Sequence, residues 1–282
     1  MLPTLELVYW PIRGRAYPVL LLLKAARVPF TYTEIPYDDE AHFAAKARGD
    51  IDPDEWPFSA LPVLKVKGDE GEAVLAETGA ILRYLERVVE EELAVDHVKQ
   101  LNALDQARVD MLASAADFNS SALYHFAASP TWLEGDERAD LERERILPFL
   151  RSLEHQLAQA DPVRDAALRP RELKGGGVLF GAAACSIAYT LSMVCDLFPL
   201  SLAHPLAAAS ADVRGTLAER FPACAAVLRD VEGSPGFAEW VASGERKARW
   251  SNRRAFTPDK TRAAAERWDG RRGEGEKEER AR

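Results

Sequence analysis

The sequence has little of what would indicate a disulfide framework or a metal site. Its 282 residues include only three cysteines, Cys185, Cys195 and Cys224, which form no CxxC pair. So few cysteines exclude a disulfide scaffold and favour a reducing compartment, and their apolar helical context favours packing over nucleophilic chemistry. The five histidines show no metal-ligand spacing, so we expect no bound metal.

Long apolar runs and an excess of basic charge are also missing. The longest apolar run, YPVLLLLKAARV, is shorter than the ~20 residues that span a bilayer, and MLPTLELVYW lacks the regions of a signal peptide. The net charge of −9 opposes sequence-independent binding to nucleic acid phosphates. We therefore expect a cytoplasmic protein with no membrane and no nucleic acid partner.

The hydrophobic pattern divides the chain into two parts. Residues 4–90 predict the order β-α-β-loop-β-β-α, and after about residue 92 the pattern is helical, with no strong strand. We predict an α/β domain over residues 1–92 and an all-helical domain over 97–257. The charged residues 258–282 cannot bury enough apolar surface to fold and should form a disordered tail.

Two short segments of the first domain, ALPVL and ETGAILRYL, could form a binding site. A cis Leu61–Pro62 bond would leave the backbone of Leu61 free to pair with an extended peptide, although the dipeptide alone favours trans. Thr78 suits the N-cap of the following helix, whose N-terminus attracts carboxylates, and Glu77 could hold an ammonium. The pair would suit an α-amino acid head group, but an ordinary cap beside a surface acid has the same pattern.

Three segments, YWPIRGRA, PFSALPVL and ETGAILRYL, occur in this order and resemble the cytosolic glutathione transferases, in particular the tyrosine-type sigma, alpha and mu classes. The resemblance spans about residues 4–90 and continues weakly through the helical half, where FPACAAVLRDVEGSPGFAEWV is similar to the closing helices of that family. It implies a thioredoxin-like domain followed by an all-helical domain, and a homodimer. The implied activity is the conjugation of glutathione, as co-substrate, to electrophilic small molecules through its thiolate. The implied role is detoxification.

The resemblance assigns a catalytic role to two residues and a binding role to several more. Tyr9 would hydrogen-bond the glutathione sulfur, and Arg15 would lie near that sulfur. Leu61, with Ala60 beside it, would pair with the cysteinyl backbone across a cis bond to Pro62.

The γ-glutamyl end of glutathione would be held by residues after the fourth strand. By the resemblance, Glu77 would bind its ammonium and Thr78 its carboxylate. Asp117, in the segment AADF, would reach the glutathione of the neighbouring subunit.

The sequence also departs from the family pattern. The window GDIDPDE has no basic residue where the family has a Trp and a Lys that hold the glycine carboxylate, so Lys46 or Arg48 would have to substitute. Tyr17 stands where a glutamate is usual. Tyr189 replaces the acid of a helix-capping box, which leaves Ser186 as the cap.

The resemblance leaves some questions of function open. Tyr124 and Phe126 could be core residues or could line the electrophile pocket. A glutathione-dependent isomerase, of the kind found among sigma-type members, and a non-catalytic ligand-binding protein remain alternatives to the transferase.

Overall fold

The computed structural model describes residues 1–36, 39–69, 71–95, 101–128, 137–199, 201–202, 216–247 and 250. The predicted tail lies outside these residues, so its disorder stays a prediction. Within them, no helix is both long enough and apolar enough to cross a membrane.

The first part of the chain is a four-stranded mixed sheet with three α-helices. Its elements are β1 Thr4–Tyr9, α1 Tyr17–Ala25, β2 Thr31–Glu34, α2 Asp39–Arg48, β3 Val63–Gly68, β4 Gly71–Ala76 and α3 Thr78–Leu93. The strand order is β2-β1-β3-β4, with β1 parallel to β2 and antiparallel to β3. The predicted order β-α-β-loop-β-β-α is confirmed, except that the predicted loop contains helix α2.

Helix α1 lies in the centre of the molecule. Eight of its nine residues are buried, because it contacts α3 on one side and helices of the second part on others. A helix that is apolar on every face is stable only when neighbours surround it, and the run PVLLLL has this composition.

The second part of the chain is mostly helical. Its helices are α4 Ala103–Ala128, α5 Glu137–Leu141, α6 Leu147–Ala158, α7 Pro162–Leu168, α8 Ala182–Leu197, α9 Leu217–Arg220, α10 Pro222–Glu232 and α11 Pro235–Ala242. A π-helical turn, Glu142–Ile146, joins α5 to α6. Helix α8 is buried nearly all round and contacts α1, α4 and α10, because its segment SIAYTLSMVCDLF is apolar on nearly every face.

The structure adds one small element to this part and corrects one expectation. A small hairpin, β5 Arg171–Glu172 and β6 Val178–Leu179, interrupts the helices. Two-residue strands are too short to show an alternating pattern, which is why the sequence did not reveal them. Helix α8 begins at Ala182 with Gly181 as its N-cap, so Ser186 lies inside the helix and cannot cap it.

Candidate active site

The register of the sheet places the ends of three strands side by side. Val63, at the start of β3, pairs with Val8 of β1 and with Ala76 of β4. Tyr9 follows Val8, and Glu77 follows Ala76. Both therefore lie at the same edge of the sheet as the chain that enters β3. This edge is where α1 and α3 approach the sheet, so the topology gathers the predicted residues of the first domain.

Tyr9 ends β1 with its side chain almost wholly buried, at 1% exposed. Its hydroxyl oxygen accepts a hydrogen bond from the backbone N–H of Arg15, at 2.8 Å. Gly14 makes this approach possible, because it has a φ of 40° and a Cβ there would collide with the hydroxyl oxygen. A phenol that accepts this hydrogen bond keeps its own proton for another acceptor.

The environment of Tyr9 keeps its hydroxyl protonated. Burial raises the pKa of Tyr9 well above its ordinary value, the nearby Tyr124 adds to the increase, and the N–H of Arg15 acts in the opposite direction. Because a charged form is costly in a buried site, Tyr9 stays a neutral phenol at neutral pH. It can donate a hydrogen bond there, but it cannot act as a base.

Arg15 connects Tyr9 to the start of α3 and to α4. Its carbonyl accepts a hydrogen bond from the hydroxyl of Thr78, at 3.0 Å. Its guanidinium donates to Ser121 at 2.8 Å and lies 3.9 Å from the carboxylate of Asp117. The backbone and the side chain of Arg15 thus link four of the residues that line or adjoin one cavity.

The predicted capping role of Thr78 is wrong. Glu77 is the N-cap residue, with φ 67° and ψ 116°, and Thr78 is already the first helical residue. Its hydroxyl is used by the carbonyl of Arg15 and does not cap the helix. No side chain caps this end of α3, so the first N–H groups of the helix are left for another acceptor.

Glu77 adopts its left-handed backbone conformation at a cost. A residue other than glycine with a φ of 67° is strained by of order 1–3 kcal/mol, and such positions cluster at functional sites. Its side chain is exposed and lines the cavity at the start of α3.

This cavity has a volume of about 520 Å³ and is bounded by α3, α4 and α8, which is within the range of small-molecule sites. Its polar and charged lining residues are Glu77, Thr78, Arg83, Asp110, Ser114, Asp117, Ser121, Ser186 and Tyr189. Arg83 and Asp110 pair with each other at 3.0 Å. The cavity therefore offers carboxylates for a ligand ammonium beside helical N–H groups for a ligand carboxylate.

The segment before β3 completes the edge of the sheet. The Leu61–Pro62 peptide bond is cis, as the resemblance implied. Ala60 is half-buried in an extended conformation, and Leu61 is buried.

Lys46, on α2, reaches this segment. Its ammonium donates to the carbonyl oxygens of Phe58 and Ser59, at 3.4 and 3.2 Å. Arg48, the other basic candidate for the glycine carboxylate, instead pairs with Asp50 at 2.6 Å. Lys46 is thus the candidate seen in contact with the segment before β3.

Two tyrosines of the second part lie near this site. Tyr189, on α8, lines the cavity with only 4% of its surface exposed, and Tyr124 lies close enough to raise the pKa of Tyr9. In the sequence Tyr189 stands among apolar residues of a buried helix, so nothing there marks it as a site residue. Tyr124 and Phe126 are half-buried and pack on the main core.

The cysteines and acids do not form a second chemical centre among the described residues. Cys185, Cys195 and Cys224 are buried free thiols, and burial raises the pKa of each. They are therefore packing residues, as expected. No group of three or more possible metal ligands occurs in the described part of the chain.

Comparison with known proteins finds a similarity in the first part of the chain. Residues 5–87 match the family model described as "Glutathione S-transferase, N-terminal domain". Two curated relatives are similar over a stretch of comparable length. "Glutathione S-transferase 2" of Gallus gallus is 37% identical over 88 residues, which are 28% of this chain and 34% of the relative.

"Glutathione S-transferase" of Dirofilaria immitis is 34% identical over 82 residues, or 29% of this chain and 33% of the relative. The chain thus spans about a third of the length of the curated relatives it matches.

Solved structures extend the likeness to the whole fold. The Pi-class glutathione S-transferase of Onchocerca volvulus has a TM-score of 0.59 at 17% identity, covering 88% of this chain and 98% of that one. The sigma-class transferase of Fasciola hepatica has a TM-score of 0.56 at 18% identity, covering 86% and 96%. The predicted fold class, a thioredoxin-like domain followed by a helical domain, is confirmed.

Proposed function

We propose that this protein is a glutathione transferase of the tyrosine type, with Tyr9 as the residue that activates the thiol. The observation that carries the proposal is the hydrogen bond from the Arg15 N–H to the Tyr9 hydroxyl. It directs the phenolic proton to another acceptor, and the carbonyl of the same Arg15 holds Thr78 at the start of α3. Arg15 thus fixes the Tyr9 hydroxyl, the proposed hydrogen-bond donor to the glutathione sulfur, relative to the proposed γ-glutamyl site.

Glutathione binds across the edge of the sheet in this proposal. Its γ-glutamyl carboxylate accepts from the uncapped N–H groups of α3, where the helix dipole favours negative charge. Glu77 holds the ammonium. The backbone of Leu61, beside Ala60, pairs with the cysteinyl unit and brings the sulfur toward Tyr9. The assignment of Asp117 to the neighbouring subunit's glutathione stays a prediction, since its carboxylate lies near Arg15 of its own chain.

The reaction is a nucleophilic attack by the glutathione thiolate. The thiol loses its proton to solvent, and the sulfur forms a bond to an electrophilic carbon. With a halide, the carbon–halogen bond breaks and the halide departs with the bonding electrons. With an epoxide a ring carbon–oxygen bond breaks, and with an unsaturated ketone the carbon–carbon π bond breaks, and the anion formed takes a proton from solvent. Tyr9 donates a hydrogen bond to the anionic sulfur, and the positive charge of Arg15 acts in the same sense. Because burial keeps Tyr9 protonated, its role is to stabilise the thiolate.

The second substrate lies against the helical domain in this proposal. Tyr124, near the end of α4, lies close to Tyr9, and Phe126 two residues later adds a second half-buried aromatic side chain. An apolar wall beside a thiolate suits hydrophobic electrophiles, which is the substrate class of a detoxifying enzyme.

A conjugation assay tests the proposed function. The protein is mixed with glutathione and, in turn, an aromatic halide, an unsaturated ketone and an epoxide. We expect product to form faster than in a matched reaction without protein, for at least one class. Glutathione conjugates formed at the uncatalysed rate with all three classes, together with no calorimetric binding of glutathione, would contradict the proposal.

Lys46 is the residue we propose for the glycine carboxylate. Its exposed ammonium lies at the entrance to β3, next to Ala60 and Leu61. An exposed ion pair is worth up to ~1 kcal/mol, so Lys46→Ala should raise the KM for glutathione about three- to fivefold and leave kcat unchanged. Steady-state kinetics at varied glutathione would show this.

Arg48→Ala is the matched control, because it removes a cation from the same helix that is paired with Asp50. The assignment is wrong if both variants change the KM equally, or if Lys46→Ala changes nothing.

We also propose a homodimer, supported by an exposed apolar stripe on α4. Leu104, Met111 and Phe118 are spaced seven residues apart, so they share one face of the helix, and they are 63%, 52% and 67% exposed. Phe58, 76% exposed, adds a large apolar side chain from the first domain. Exposed apolar surface of this kind marks protein interfaces.

The mass in solution tests the dimer. At micromolar concentration we expect twice the chain mass of 31.2 kDa, and Met111→Asp should shift the protein toward monomer because it places a charge in the interface. Val241→Asp is the control, since Val241 is also an exposed apolar residue, on α11. A monomeric wild-type protein would contradict the proposal.

We propose a cytoplasmic location, supported by three unpaired cysteine thiols, which suit a reducing compartment.

The division into residues 1–92 and 97–257 is likewise a proposal. Helix α3 runs to Leu93, and Ala94 forms a β-bridge with Leu173.

A further inference from the structure

Lys247 and Trp250 contact the turn between β1 and α1. Arg13, in that turn, is only 5% exposed. Its Nε donates to the carbonyl of Lys247 at 2.6 Å, and its Nη1 donates to Asp196 of α8 at 3.0 Å. Hydrogen bonds in which the donor or the acceptor is ionised are about twice as strong as neutral ones, so these contacts fix the guanidinium.

Trp250 completes the enclosure of Arg13. It is fully buried, and its indole N–H donates to the same Asp196 oxygen at 2.7 Å. The guanidinium of Arg13 lies 4.7 Å from the centre of the indole ring. The centre of the Tyr17 ring lies 5.1 Å from the centre of the same indole ring. A cation over an aromatic face is stabilised further when both are withdrawn from water.

Arg13 is two residues from the N–H that orients Tyr9. Gly14, between Arg13 and Arg15, is the point where the backbone passes against the Tyr9 hydroxyl. A change in the position of Arg13 would therefore move the Arg15 N–H, which lies 2.8 Å from that hydroxyl.

We propose that Trp250 is a positioning residue for thiol activation. It holds Asp196 and Arg13, and Arg13 holds the turn that presents the Arg15 N–H to Tyr9. This inference rests on the proposed function, since it concerns how Tyr9 is aimed at the glutathione sulfur.

The test is the pKa of the thiol of bound glutathione, followed by the ultraviolet absorbance of the thiolate against pH. Trp250→Ala should raise the pKa of the bound thiol by about one unit. At a pH below the wild-type thiol pKa, kcat should therefore fall about tenfold. The KM for glutathione should stay within about twofold of the wild-type value. Trp250→Phe keeps one six-membered aromatic ring but loses the pyrrole ring and its N–H, and with it the hydrogen bond to Asp196, so it should give a smaller shift in the same direction.

Glu245→Gln is the matched control. It removes the ion pair of Glu245 with Lys24, at 2.8 Å, from the same segment of chain without touching Arg13. Thermal unfolding of all three variants reports on stability, which a merely structural Trp250 would change without moving the thiol pKa. We expect no pKa shift in Glu245→Gln.

An unchanged thiol pKa in folded Trp250→Ala would overturn the inference. If that variant does not fold, an unchanged pKa in Trp250→Phe would overturn it, as would an equal shift in Glu245→Gln. The proposed function is tested by the wild-type protein instead. It would be overturned if the wild-type protein did not bind glutathione, or bound it without lowering the pKa of its thiol. The two failures are therefore distinguishable.

Discussion

Replacing Tyr9 with Phe should slow conjugation at least about tenfold at neutral pH and leave the affinity for glutathione nearly unchanged. The substitution removes only the hydroxyl oxygen and its proton. A cysteine thiol titrates near ~8.5, so few glutathione molecules are thiolates at neutral pH without help. Lowering the thiol pKa by about two units requires ~2.7 kcal/mol, which one or two charge-assisted hydrogen bonds can supply.

The pH dependence of this variant has a definite sign. Without the Tyr9 hydroxyl the thiol pKa rises toward its free value, so the pH profile of turnover moves upward. The defect should be largest at low pH and should shrink as the pH approaches ~8.5, where the free thiol ionises unaided. Rates measured from acid to mildly basic pH would show both trends.

Tyr32→Phe is the control for this experiment. Tyr32 is another largely buried phenol, on β2, and its hydroxyl donates to the carbonyl of Trp10, at 3.1 Å. It should leave the pH profile in place. If Tyr9→Phe kept the wild-type rate and profile, a different group would have to be the thiol activator.

Glu77→Gln should weaken glutathione binding by about ten- to a hundredfold. The amide keeps the size of the side chain but loses the negative charge that we propose for the γ-glutamyl ammonium. A hydrogen bond to a charged group contributes ~1.5–3 kcal/mol, and 1.4 kcal/mol is a factor of about ten in affinity. Calorimetric titration with glutathione measures the change directly.

A glutathione analogue without the ammonium group sharpens this test. It should bind the wild-type protein weakly and lose little more with Glu77→Gln, because the two changes remove the same interaction. Glu72→Gln, which alters another exposed acid, paired with Lys67 on β3, is the control and should bind normally. Equal losses for glutathione and the analogue would show that Glu77 does not contact the ammonium.

Local patterns predicted most of the fold. The alternating strands and the apolar helices α1 and α8 each appear in the sequence, because burial on one face or on all faces leaves a periodic pattern. The hairpin of β5 and β6 left no pattern because each strand has two residues. The sequence predicts Thr78 as the N-cap of α3, but the N-cap is Glu77. The backbone of Glu77, with a φ of 67°, sets the start of the helix, and composition does not show that angle.

The candidate site was predictable only in part. The resemblance named Tyr9, Glu77 and Thr78, and the register of the sheet brings their positions together. It did not show that the Thr78 hydroxyl binds the carbonyl of Arg15. Contacts between residues distant in sequence, such as that of Trp250 with Asp196, have no local signal at all.

The central claim is that this protein binds glutathione and stabilises its thiolate. The most direct measurement is a pH titration of the wild-type protein saturated with glutathione, followed by the ultraviolet absorbance of the thiolate. The account predicts that the bound thiol titrates about two units below the ~8.5 of a free thiol. A bound thiol that titrates at the free value would contradict it.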